Sequence, residues 1–355
     1  MSGMKIAIIT DTHFGVRNDS EYFLNKSKLF LDNIFFPYLK KENINTVFHL
    51  GDIVDRRKYI NFNTSKRIRE DFLIPLFENK IETHIILGNH DIYYKNINDI
   101  NAVEEIIDKR FDNFKVYYQP FEITICDVKI LMLPWICEQN KELTHELIKN
   151  TKSQICMGHL ELNGFEMFKG GSVCDHGIDR KIFDKFDIVC SGHFHHKSTS
   201  SNIHYLGTPY EMTWSDFDDP KGFHILDLST RELNFIQNPF KTFKKIFYDD
   251  KDKDSLEENE IKNCKDSIVK VVVTHKENPY LFDKFIDLIE DASPQEYQIV
   301  EYSPEYEKDN DEIDEAESTL DIFKQYIQKS EIKGINKTKL EKTIIDLYNE
   351  AINLE

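Results

Sequence analysis

Residues 83–91 read THIILGNHD, an apolar run closed by a glycine and then by an amide, an imidazole and a carboxylate on consecutive positions. The construction recurs at IITDTH (8–13), FHLGDIVD (48–55), CMGH (156–159) and VCSGHFHH (189–196). Strand-like runs therefore end in Asp11 and His13, in Asp52 and Asp55, in Asn89, His90 and Asp91, in His159, and in His193, His195 and His196. Between them, SEYFLNKSKLFLDNIFFPYLKKE and NTSKRIREDFLIPLFENK carry apolar residues at helical spacing. Short β-like runs alternating with amphipathic helices predict an α/β fold with helices covering the sheets. In such sheets ligand sites collect outside the carboxyl ends of strands, so these loops are expected to converge on one crevice.

What converges is imidazole, carboxylate oxygen and one amide, without thiol, a donor set suited to divalent ions such as manganese or zinc. Asp11, His13, Asp52, Asn89, His159, His193 and His195 oversupply a single ion. Two ions sharing one carboxylate would each keep a position open for water and substrate. Taken singly, each pattern reads as an ordinary turn, with GDIVD and GNHD using Gly and Asn for left-handed backbone. Their joint occurrence, in order and each behind a strand, carries the metal reading.

With 355 residues and 40% hydrophobic content, the chain can hold one large core and a smaller module. The six cysteines are scattered without a C-x-x-C pair, which predicts a reducing, cytoplasmic setting. The opening MSGMKIAIITD enters a strand at once, without a leader pattern, and no stretch approaches the ~18 apolar residues of a membrane span. After residue 240, SIVKVVVTH, NPYLFDKFIDLIEDA and EYQIVEY predict a β-α-β module over 241–303. An acidic linker over 304–317 follows, too polar to order itself. The tail, 318–355, reads as two amphipathic helices behind a Ser318 cap, with Leu320, Phe323 and Ile327 on one face, and Leu340, Ile344, Leu347, Tyr348 and Ala351 on the other helix's face. A calcium loop from Asp250 is rejected, because its sixth position is Ser255 and its twelfth Ile261.

The series D-x-H, G-D-x-x-D, G-N-H-D, G-H and G-H-x-H resembles the calcineurin-like metallophosphoesterase superfamily over residues 5 to about 210. Within it, LPWICEQN, GHLELNGF, GTPYEMTWSDFDDPKGF and the appended module resemble the nuclease subunits of SbcCD-type (meiotic recombination eleven type) break-repair complexes, most of all those of large tailed phages. The resemblance implies a sandwich of two mixed β-sheets flanked by helices, a nuclease domain over 1–240 and a DNA-capping role for 241–303. It implies that Asp11, His13 and His195 hold one ion, that Asn89, His159 and His193 hold the other, and that Asp52 bridges them. The expected ions are two Mn2+, with Mg2+ the alternative. His90 matches the catalytic histidine that serves the leaving oxygen. Asp91 would orient it, and Asp55 would buffer it or a ligand, turn capping being the plain reading of both aspartates.

Two such ions lower the pKa of a water and neutralise a phosphodiester, so no protein nucleophile is required. The resemblance implies 3′-end exonuclease and single-strand endonuclease action in recombination and break repair. It also implies a homodimer and an SMC-like coiled-coil ATPase bound by the tail helices, in the cytoplasm, or the host cytoplasm for a phage-encoded chain. A net charge of −18 argues against DNA only if it is uniform. Arg17, Arg56, Arg57, Lys58 and Lys95 lie in or after the motif loops and could form a basic rim, with Tyr93 to stack on bases, whereas Lys66, Arg67 and Arg69 read equally well as helix surface. His196, His204 and His224 have no spacing partner and read as solvated or core histidines. The rivals are a phosphoprotein phosphatase, opposed by Arg57 and Asp91 where that family has glycine and glutamate, and a non-catalytic scaffold for the ATPase, opposed by the complete donor set.

Overall fold

The computed structural model describes residues 5–107, 111–251 and 261–301, together with Lys339, Leu340 and Thr343. One six-stranded sheet runs β12 (Leu233–Gln237), β11 (Gly222–Asp227), β1 (Lys5–Ile9), β2 (Thr46–His49), β3 (Glu82–Ile86), β4 (Phe114–Tyr117). The other runs β5 (Phe121–Ile125), β6 (Val128–Leu133), β7 (Ile155–His159), β8 (Ile188–Gly192), β10 (Ile203–Tyr205), β9 (Ser198–Ser200). Both are mixed. The strands β1 to β4 are parallel neighbours, as are β6, β7, β8 and β10; antiparallel strands close both edges of the second sheet and the β12 edge of the first, whose other edge is the parallel β4.

Alternation along the central strands builds the layers. Successive side chains point to opposite faces, so Ile6 and Ile8 part from Ala7 and Ile9. Ile6 and Ile8 join Phe48, Leu50 and Ile86, and from the second sheet Ile130, Met132, Ile155 and Met157, in one apolar layer between the sheets. Ala7 and Ile9 join Val47, Ile85 and Leu87 against helix residues Leu24, Phe30, Phe35, Phe72 and Leu76. The outer face of the second sheet packs Leu131, Leu133, Cys156 and Val189 on Ile148 and Phe183. Strands buried on both faces read as unbroken apolar runs, which is why KIAII, TVFH and ICMGH were legible. The expected sandwich of two mixed sheets flanked by helices is what the chain forms.

Both long helical stretches are interrupted in the same way. Glu21–Phe30 and Phe36–Glu42 are joined through a π-helical turn, Leu31–Phe35, and Phe62–Arg67 and Ile74–Glu78 through Ile68–Leu73. Pro37 and Pro75 stand just past these turns. A proline donates no N–H and crowds the carbonyl four residues back, so a widened turn lets the helix continue through it.

A third sheet of parallel strands, β13 (Phe243–Asp249), β14 (Ile268–His275) and β15 (Glu296–Glu301), carries the helix Pro279–Asp291 in its crossover. Asn278 caps that helix by accepting from the N–H groups of Tyr280 and Leu281. Ile246, Tyr248, Val269, Val271, Phe282, Phe285 and Ile289 form its own apolar cluster. Residues Met1–Met212 and Asp216–Tyr302 belong to one compact unit. The boundary at residue 241 stands as a proposal. The linker and tail over 304–355 lie outside the described residues, apart from Lys339, Leu340 and Thr343, which are helical.

Phe285 is 1% exposed within the apolar cluster of the third sheet. Phe285→Ala is expected to cost about 3–5 kcal/mol, read as a lowered denaturation midpoint for this segment in hydrogen exchange.

Candidate active site

The motif loops leave the parallel strands at one end and zip to each other before they diverge. Asp11 N donates to Gly51 O (3.0 Å), His13 N to Asp52 O (3.1 Å) and Phe14 N to Ile53 O (2.8 Å), prolonging the β1–β2 pairing beyond both strands. Asp11, His13, Asp52 and His193 all have positive φ, at 50°, 40°, 54° and 91°. Such backbone is uncommon for non-glycine residues and collects at functional sites where the surroundings enforce it.

Asp91 is the main enforcer. Its Oδ2 accepts from Asp52 N (2.8 Å) and Gly88 N (2.8 Å), and its Oδ1 from Ile53 N (2.9 Å) and Val54 N (3.2 Å). The carboxylate thus ties the GNHD loop to the GDIVD loop, instead of orienting the His90 ring as expected from the resemblance. That ring is held by the Asp55 carbonyl, which accepts from Nδ1 at 2.6 Å. Gly88 is required by proximity, because a Cβ there would lie 2.1 Å from Asp52 Oδ1. Gly51 combines φ +92° with a Cβ position 2.6 Å from His159 Nδ1.

The expected donors come together as three overlapping groups, Asp11–His13–His195, His13–Asp52–His90 and Asp52–His159–His193, each with ligand atoms within 4.8 Å of one another. Asp52 Oδ2 lies 3.7 Å from His13 Nε2 and 3.3 Å from His159 Nε2. Asn89 Oδ1 lies 3.0 Å from both His159 Nε2 and His193 Nδ1. His159 Nδ1 donates to Leu50 O (2.7 Å), so in the neutral ring Nε2 is a bare lone pair facing the Asn89 oxygen. His195 Nε2 and His13 Nε2 also face each other at 3.1 Å. With the rings neutral and the facing nitrogens unprotonated these contacts would be acceptor against acceptor, and either a proton or a cation among them relieves that; the imidazole, carboxylate and amide oxygen set fits divalent metal.

The electrostatics agree. Burial opposes charge on His13, but Asp55, Asp52 and Asp11 outweigh it and raise the ring to about 9. Burial likewise opposes His159, and Asp52 raises it to about 9. Burial and the neighbouring His13 lower His195 to about 3. Burial lowers His90, against the pull of Asp52. Asp52 resists its own burial penalty and stays well below the ordinary carboxyl range because of His159 and His90. The carboxylates therefore draw positive charge into the centre.

The expected basic rim is partly committed elsewhere. Arg56 pairs with Asp19 and donates to the Tyr59 hydroxyl (2.7 Å), and Arg17 Nε donates to Met212 O (3.3 Å). Arg67 ties two helices through Asp71, Glu21 and Asn25. Arg57 is half-buried and burial lowers its pKa against the field of Asp52, while Lys58, Tyr93 and Lys95 are exposed. Tyr93 packs edge-on against Tyr94. His196 bonds Asp219 (2.9 Å), His204 sits beside Thr199, and His224 is buried against Phe235, none at the donor cluster.

Sequence reading passed over a supporting ion network. Lys221, 2% exposed, donates to the His195 carbonyl (2.8 Å) and pairs with Asp216 (2.5 Å) and Asp219 (2.9 Å). Burial opposes its charge, and those carboxylates hold its pKa up. The sole sequence signal was a lysine among acids in SDFDDPKGF, indistinguishable from a solvated turn. Glu161 was missed too; its Oε1 lies 3.6 Å from His193 Nε2.

The family model described as calcineurin-like phosphoesterase matches residues 4–197. The chain is 33% identical to Exonuclease subunit 1 of Enterobacteria phage T4 over 351 residues, covering 98% of this chain and 99% of that protein. It is 24% identical to the D subunit of nuclease SbcCD from Staphylococcus saprophyticus subsp. saprophyticus, covering 98% of this chain and 100% of that one. A solved archaeal phosphodiesterase aligns with TM-score 0.32 and 14% identity over 66% of this chain and 100% of that one. A sandwich of two mixed sheets that presents clustered His, Asp and Asn donors at its strand ends defines a metallophosphoesterase. The chain belongs to the calcineurin-like phosphoesterase family, as its motif series implied.

Gly88→Ala places a methyl against the Asp52 carboxylate. We expect a loss of divalent-metal affinity of about tenfold or more by calorimetry, with the far-ultraviolet circular dichroism of the folded chain retained.

Proposed function

We propose that the chain is a DNA nuclease of the metallophosphoesterase superfamily, the catalytic subunit of a nuclease–ATPase complex in recombination and break repair. The observation that carries this reading is the convergence of all seven expected donors on one centre, in a chain alignable end to end with a phage exonuclease subunit. Asp11, His13 and His195 would hold one ion and Asn89, His159 and His193 the other, with Asp52 within reach of both; divalent cations bound there, Mn2+ by preference, would supply water activation and charge neutralisation at the phosphodiester.

The chain's own groups do the rest. The Asp55 carbonyl accepts from His90 Nδ1–H, so Nε2 of the neutral ring is a lone pair that takes up a proton before delivering it to the departing oxygen. Asp91 keeps Asp52 in register by holding its loop. Arg57, Arg17, Lys58 and Lys95 meet backbone phosphates, with Arg56 braced by Asp19 beneath them, and Tyr93 stacks on an unpaired base. The activities are 3′–5′ exonuclease and single-strand endonuclease. The active unit is a homodimer in the cytoplasm, and residues 318–355 dock on a coiled-coil ATPase, with 241–303 capping the DNA.

Wild type, His90→Ala and Asp52→Ala are to be compared on end-labelled single- and double-stranded DNA with Mn2+, beside a phosphomonoester and a phosphopeptide. We expect DNA cleavage to fall about 10²–10⁴-fold in His90→Ala and to vanish in Asp52→Ala. Phosphomonoester or phosphopeptide turnover with DNA untouched makes the protein a phosphatase. Bound metal without turnover, unrelieved by the ATPase, makes it a scaffold.

A further inference from the structure

A cavity of about 820 Å3 adjoins the donor cluster, lined by His159 and Glu161 but not by His90. Its volume suits a small organic group, since ligand pockets span roughly 300–1,000 Å3. Trp135 stands at its inner end. The tryptophan backbone is pinned by its N–H to Leu87 O (2.7 Å) and by its carbonyl, which accepts from the amides of Asn98 and Asn140 (3.0 Å each). Its ring lies 5.1 Å from that of His193 and 6.1 Å from that of His159, centroid to centroid. The floor is apolar, formed by Ile136, Leu160 and Ile178, and Ile182 stands at the rim.

One wall is cationic in a chain of net charge −18. Lys141, His145 and Lys149 recur every four residues along the helix Lys141–Asn150, so they share one exposed face, and all three line the cavity. The acidic groups on the opposite side are engaged: Asp179 accepts from Lys181 N (3.0 Å) and Glu161 lies between His193 and His176. Glu138 is the remaining carboxylate on the lining. An apolar slot with a rigid aromatic end, a basic stripe beside it and a metal-binding mouth matches one ligand chemistry, an unpaired nucleotide within a strand.

We propose that this cavity receives the unstacked base of the nucleotide flanking the scissile phosphate, with Lys141 and Lys149 meeting the phosphates that follow. The inference rests on the nuclease reading and adds a substrate preference to it. A base kept in a duplex has both faces stacked and cannot enter, so the cavity selects single-stranded or frayed ends. Trp135, touching both the base and the His193 ring, couples occupancy of the cavity to the donor geometry.

The test uses the full chain with Mn2+ and single-stranded oligonucleotides carrying one abasic residue on either side of the labelled phosphodiester. We expect an abasic residue on one side to lower kcat/KM about tenfold or more, chiefly through KM. Ile182→Trp fills the slot from its rim, on a side chain already 36% exposed, so the core is untouched. It is expected to bring the ordinary oligonucleotide down to the abasic rate and leave the abasic oligonucleotide unchanged. Equal rates for ordinary and abasic strands in the wild type overturn the inference while the nuclease reading stands, as does equal slowing of both substrates by Ile182→Trp. An ordinary strand left uncut by the wild type overturns both.

Discussion

The Asp91 carboxylate, buried between two loops and accepting four backbone N–H groups, is the contact on which the centre depends. Those N–H groups point inward from residues 52–54 and 88, and each would cost about 1–3 kcal/mol if left buried and unpaired. Their convergence on one carboxylate fixes the two loops as a unit. Asp52, common to two of the three donor groups, is set by that unit, and its left-handed backbone is tolerated because the alternative is four unsatisfied donors. A carboxylate at 91 is therefore a structural requirement, the turn-capping role that was the plain reading of Asp91 beside the His90-orienting role the resemblance implied.

Main-chain groups complete the support of the imidazoles. Leu50 O holds His159 and Asp55 O holds His90, both by Nδ1. A carbonyl in a zipped loop has no rotamers to lose, so it fixes a ring's tautomer and angle with little room for drift. His195 is supported differently, its segment anchored by Lys221. There a long side chain spans from the 216–221 turn, and its burial is tolerated because Asp216 and Asp219 neutralise it. Removal of either partner would leave a buried charge, so this network is bound to remain whole.

What the sequence made legible follows from how completely each element is buried. The runs at β1, β2, β3, β6, β7 and β8 are apolar throughout because both faces are covered, and the chemistry-bearing residues stand out as the first polar groups after them. FKVY, FEITI and LNFIQ were not singled out, since each lies at a sheet edge with half-solvated side chains and a weak apolar contrast. The donors were readable because their spacing is local; Lys221, Glu161 and the Lys141 stripe were not, because their meaning arises from loops brought together across the fold. Arg56 shows the converse. Sequence placed it beside the motif loops, yet only the structure reveals Asp19 as its partner.

The distribution of charge answers the objection raised by the acidic composition. Carboxylates at the centre are the attractors for metal, and they also raise His13 and His159. A phosphodiester meeting bare carboxylates would be repelled, so substrate binding must follow the cations, whose charge inverts the local field. The two flanks then divide the work by their surroundings. Arg56, Arg57 and Lys58 follow the loop whose Asp55 carbonyl holds His90, whereas around His159 the wall turns apolar behind a line of three basic residues. A strand crossing from one flank to the other meets charge first and apolar surface second, an order that favours a nucleotide whose base has already left its stack. Selection for unpaired substrate would then come from the shape of the second flank and not from the chemistry at the centre, which any phosphodiester could satisfy.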